Sequence, residues 1–176
     1  MTFIGTFFLW CLFPSFNGVN PMHNYQYLNS RYLAIGNTFW ALSSSVFCSF
    51  IMSMILKNGK LWIEHIWNAT LAGGIIISAS ADLFSVCWPP LLIGAFGGII
   101  STLWFTYLSR IISHWYLFDT RGILFLHLIP SLFGAIVASI TFSWFDNLSL
   151  ADYYGGGSLL SQYFMNGRSG LFQGGL

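Results

Sequence analysis

Five apolar stretches, near residues 2–16, 34–56, 63–86, 91–112 and 122–145, fill almost all of this chain ahead of residue 146. Nothing else in the sequence constrains the fold as much. A helix needs about 20 apolar residues to cross the hydrocarbon core of a bilayer. Lipid offers the backbone no hydrogen bonds, so such segments must satisfy their own amides as helices. Four of the stretches reach that length. The first stops at Pro14-Ser15-Phe16-Asn17-Gly18 and reads as the later part of a span, or as one whose start is missing. Of the 176 residues 56% are hydrophobic and only 6% charged, against about 25% charged in soluble domains. The expected fold is therefore all-α: a polytopic membrane helix bundle of about five transmembrane helices in residues 1–145, followed by a Gly-rich polar tail over 146–176.

Several function classes fall away. Six Lys+Arg against five Asp+Glu leave no basic footprint for nucleic acid. Cys11, Cys48 and Cys87 are far apart in apolar segments, without metal spacing or a disulfide framework, so they read as packing residues. No metal set, haem ligand pair, phosphate-binding glycine loop or Ser/His/Asp arrangement is visible, so neither an enzyme nor a cofactor is expected. The opening Met1-Thr2-Phe3-Ile4-Gly5 lacks the basic leader and cleavage site of a signal peptide, and a retained helix is the expectation. The linkers after the second and fourth stretches hold Lys57, Lys60, Arg110 and Arg121, against Arg31 and Arg168 elsewhere. By the positive-inside rule the Lys57 face is cytoplasmic, or faces the matrix in a mitochondrion.

The fifth stretch carries one ionisable side chain in its apolar run, His127. An imidazole at that depth is costly unless it has a partner or lines a wet path. Two readings stand: a ligand in a conduction path, or a histidine bonded to a neighbouring carbonyl or hydroxyl. Asp119 and Thr120 at the start of this stretch read first as an N-cap. Asp82, about four residues from the far end of its stretch, is expected to face water or to pair with a cation of another chain. Glu64 and His65 are expected at headgroup level, where charge costs little. Gly73, Gly74, Gly94, Gly97 and Gly98 form small-residue seams that let membrane helices approach closely.

The pattern Asp119-Thr120-x-Gly122-x-x-x-Leu126-His127-x-x-Pro130 resembles the tenth, pore-lining helix of the Rh glycoprotein and ammonium transporter family. Four further stretches are similar to that family in order and spacing. Ile4-Gly5-Thr6-Phe7-Phe8-Leu9-Trp10 with Pro14-Ser15-Phe16-Asn17 resembles the sixth helix. Asn37-Thr38-Phe39 with Gly59-Lys60 resembles the seventh. Glu64-His65-Ile66-Trp67-Asn68-Ala69-Thr70-Leu71-Ala72-Gly73-Gly74 resembles the eighth, and Gly97-Gly98-Ile99-Ile100-Ser101-Thr102-Leu103 the ninth. The likeness covers the C-terminal half of the family's fold, helices six to ten.

This resemblance implies ammonia passing an apolar pore between two inverted halves, lined by two facing histidines beneath an aromatic gate. His127 matches one histidine and Phe16 the gate. The facing histidine belongs to a helix this sequence does not contain. The pore is thus expected to be incomplete here and to need a partner chain carrying the other half, with a trimer of such assemblies. Asn68 and Thr70 match well-defined family positions; pore support is the functional reading, helix packing and capping the plainer one. Leu128 and Ser131 stand where the family carries glycine, and Arg121 where it carries a small residue. These departures favour an alternative: a non-transporting structural membrane subunit of a larger complex. The 18 Phe and 8 Trp suit a mitochondrial inner-membrane assembly; a channel reading suits a plasma membrane.

Overall fold

The computed structural model describes residues 2–19, 28–84, 86–114 and 123–145. Those residues are helical and turn-forming, with no strand among them. Five α-helices follow in order: α1 Thr2–Asn17, α2 Leu28–Leu56, α3 Ile63–Ile77, α4 Trp88–His114 and α5 Ile129–Phe145. A π-turn, Leu124–Leu128, leads into α5. Two helices are long and apolar enough to cross a membrane by themselves, over Arg31–Leu56 and Trp88–Leu108. The expected tail over 146–176 and Asp119 lie outside the described residues.

The chain divides into two units, Met1–Gly134 and Ala135–Leu176. In the first, α3 is the central element. Ala69, Ala72, Ile76 and Ile77 are fully buried, and α3 meets α1, α2, α4 and the π-turn. Small residues make that approach possible. A Cβ on Gly73 would sit 2.5 Å from Ser45 Cβ and 2.6 Å from the Ala41 carbonyl, and one on Gly98 2.5 Å from the Ser45 carbonyl. A Cβ on Gly94 would fall on the Ala41 carbonyl itself. Gly94 and Gly98, one turn apart on α4, thus receive Ala41 and Ser45, one turn apart on α2, in the small-xxx-small manner of membrane helices. The described part of the second unit is the rest of α5, where Ser139 and Thr141 return their hydroxyls to carbonyls four residues back.

Besides the start of α5 at Ile129 rather than 122 and the end of α4 at His114 rather than 112, three element boundaries depart from the sequence expectation for an identifiable reason. Helix α2 begins at Leu28 rather than at 34, because polar Asn29, Ser30 and Arg31 extend a helix beyond its apolar run without breaking it. Helix α4 begins at Trp88, one residue before Pro89-Pro90, which initiates the helix instead of interrupting the chain. Proline is tolerated in a first turn, where its missing N–H has no intrahelical partner to lose. Helix α3 ends at Ile77, where the apolar run continues to Val86.

Side chains from other helices explain that early stop. Ser78 N–H bonds Ile75 three residues back, which frees the Gly74 carbonyl to accept from Asn17 Nδ2 at 3.2 Å. Beyond it, Asn37 Nδ2 donates to the carbonyls of Ala81 (2.8 Å) and Phe84 (2.6 Å). Two buried carboxamides therefore hold the backbone of residues 74–84 in turns that a continuing helix would abolish. Replacing Asn37 by Leu keeps the volume and removes the donor from buried carbonyls, which costs about 1–3 kcal/mol. We expect Asn37→Leu to lower the melting temperature in detergent and to speed proteolysis within residues 78–84. Unchanged melting and cleavage would show that the turn holds itself.

Candidate functional site

Pro130 shapes the backbone around His127. Its ring has no N–H and would clash with the carbonyl four residues earlier in a regular helix. The chain widens by one residue in response, and Ile129 N–H reaches back five residues to Leu124. Such π-turns recur at functional sites. His127 sits inside this one with its side chain exposed. Leu128 beside it is 53% exposed, and Ser131 returns its hydroxyl to the Leu128 carbonyl at 2.9 Å. Leu128 and Ser131 therefore stand on the same open stretch as the imidazole.

Phe16 lies in the last turn of α1, 72% exposed, its ring centroid 6.0 Å from that of Phe13. Asn68 and Thr70 are buried on α3, and the Thr70 hydroxyl donates to the Ile66 carbonyl of its own helix. That bond satisfies the Thr70 proton within its own helix. Asp82 is partly buried in the turns that follow α3. The structure brings Asn68 and Thr70 together on one helix, and leaves His127 and Phe16 as open side chains on two others.

His65, expected at headgroup level, is enclosed by its own chain. It is 2% exposed, stacked on Trp62 (centroids 5.9 Å apart) and met edge-on by Phe105 at 5.5 Å. Its Nε2 lies 3.3 Å from Thr106 Oγ1, whose own proton goes to the Thr102 carbonyl. The hydroxyl must therefore accept, which puts the ring proton on Nε2. The aromatic neighbours one turn earlier and on α4 cover the ring. Lys57 Nζ in turn lies 4.0 Å from the Trp62 ring centre, a cation–π contact that roofs the cluster.

Asn17 and Thr38 were also missed as functional candidates. Asn17 is 2% exposed and its Nδ2 donates to Thr38 Oγ1 at 3.1 Å as well as to Gly74. Thr38 passes its own proton to the Ala34 carbonyl at 2.6 Å. Nothing in the sequence singles out this carboxamide, which stands at the very end of its apolar segment.

A profile described as the Ammonium Transporter Family matches residues 1–172. The Ammonium transporter Rh type C of Xenopus laevis is 43% identical over 140 residues, covering 78% of this chain and 29% of that protein. The Rattus norvegicus Rh type C protein is 37% identical over 166 residues, 93% of this chain and 32% of its own length. In three dimensions the chain is similar to Nitrosomonas europaea Rh50, of the Rhesus protein family of channels. The TM-score is 0.71 at 28% identity, over 77% of this chain and 35% of that one. The chain spans about a third of the length of each of these relatives. It is an integral membrane protein, and it belongs to the ammonium transporter family.

Proposed function

We propose that this chain forms one wall of an Rh-type channel for ammonia, with Phe16 and His127 on the conduction path. The observation that carries this reading is the exposure of His127. Among the described residues Asn17, Asn37, Thr38, His65 and Thr102 are buried within the packed helices, whereas the His127 ring is exposed. An imidazole left open on such a surface is costly against lipid and reasonable against a path that carries hydrogen-bonding molecules. Phe16, open on another helix, suits the aromatic gate.

The wall is completed by membrane helices that supply a facing histidine. Two opposed imidazoles then hold ammonia by hydrogen bonds, each ring fixing the tautomer of the other. Shedding the proton before entry removes most of the charge-desolvation cost, several kcal/mol per ion. The Rh type C relatives support this over the structural-subunit reading, and with transport goes a plasma membrane. The Phe- and Trp-rich composition behind the mitochondrial reading fits any chain surrounded by lipid and partner helices.

The test is ammonia-driven alkalinisation inside vesicles that hold the purified native assembly, set against protein-free vesicles of the same lipid. Faster alkalinisation with protein is expected. Equal rates would remove the transport reading and leave the structural one.

A further inference from the structure

We propose that Asn17 is the positioning residue for the Phe16 gate, acting through its hydrogen bonds to Thr38 and Gly74. This rests on the reading above that Phe16 borders the path. Adjacent residues on a helix point about 100° apart at 3.6 residues per turn, so one can be anchored while the other stays open. That is the arrangement here: Asn17 is 2% and Phe16 72% exposed. The turn that carries them is weak by itself. Pro14, inside α1, has no N–H and so leaves one rung of the helix ladder unmade. After it, Gly18 N–H bonds the Pro14 carbonyl at 2.9 Å and Val19 N–H the Phe16 carbonyl at 3.2 Å, and the helix ends.

Asn17 supplies what the ladder lacks. One amide group ties the end of α1 to α2 through Thr38 Oγ1 and to α3 through the Gly74 carbonyl. A Cβ on Gly74 would meet Phe13 Cδ1 at 2.7 Å, so α1 is already in tight contact with α3 one turn earlier. The direction of the Phe16 ring is therefore set by a buried bond network that never touches the path. Thr38 itself is fully buried, which makes it a remote handle on the gate.

The experiment measures ammonia and methylammonium flux through the native assembly in vesicles, per folded protein. Phe16→Ala is expected to shift the ratio of the two fluxes by widening the gate. Asn17→Leu and Thr38→Val are expected to shift it the same way, by about fivefold as one net hydrogen bond allows, while Thr38→Ser restores the normal ratio. On a Phe16→Ala background neither change should add anything. Thr38→Val stays interpretable should Asn17→Leu fail to fold, since it removes one acceptor at constant shape. A role in stability alone would lower the yield of folded protein and leave the ratio untouched, which overturns the proposal. So would full additivity with Phe16→Ala. If Phe16→Ala itself leaves the ratio unchanged, the placement of Phe16 on the path is what fails.

Discussion

A single methyl group added at Gly94 is expected to cost the folded chain about 3 kcal/mol, at the upper end of the range for overpacked interiors. The obstacle is backbone, so no side-chain rotation relieves it: the new Cβ falls on the Ala41 carbonyl and 2.5 Å from the Ala41 Cα. Helices α2 and α4 would have to separate along a seam that includes Gly98 against Ser45. Between membrane helices, packing is the main attraction, because lipid tails are as apolar as leucine. Gly98→Ala is expected to act in the same direction, and Gly94→Leu to prevent assembly. Internal controls exist in the same chain. A Cβ on Gly5 or Gly36 would meet nothing within 4 Å, and alanine is the better helix former by up to about 1 kcal/mol. Gly5→Ala and Gly36→Ala should therefore be neutral or mildly stabilising. Thermal unfolding in one detergent reads all four, and equal tolerance at Gly94 and Gly5 would refute the close seam.

The seam was legible in the sequence because its cause is local: small residues spaced one turn apart in an apolar run. The helix count was legible for the same reason. The end of α3 was not. Nothing between Ile63 and Val86 stops a helix; the stop comes from Asn17 and Asn37, 57 and 44 residues from the carbonyls they bind. Interactions of that range leave no periodicity to read. Pro89-Pro90 was half legible, since proline marks a boundary without saying on which side of it the helix lies. For His65, nothing in its sequence position shows that the rings of Trp62 and Phe105 close over it.

A role for His127 in a path could be proposed only through likeness. Periodicity alone cannot separate His127 in a path from His127 bonded to a neighbour. The backbone adds the π-turn, which Pro130 causes, and the open ring. That proline is two residues past Leu128, so the histidine, the turn and the bulky Leu128 share one short segment. Leu128 is itself exposed, so it would narrow the proposed path rather than fill the core.

Replacing His127 by alanine should then separate transport from folding, because the side chain is exposed and its removal opens no cavity in the core. The size of the loss is informative. A net hydrogen bond to a neutral partner is worth about 1 kcal/mol, and one to a charged group about 1.5–3 kcal/mol. At 1.4 kcal/mol per tenfold, loss of a bond to ammonia slows passage about fivefold, whereas loss of a bond to ammonium slows it by one to two orders of magnitude. The proposed path carries ammonia past an imidazole that hands on no net charge, so the smaller factor is expected if His127 acts alone. A larger one is expected if the facing histidine depends on His127 for its tautomer, since one substitution then disables both rings. His127→Gln distinguishes these cases: it keeps a donor and an acceptor at the site but cannot relay a tautomer. Recovery by glutamine means that hydrogen bonding suffices, and continued loss means that the paired rings are needed. Flux through His127→Ala equal to the unaltered protein, at equal amounts of folded assembly, would take this side chain off the path.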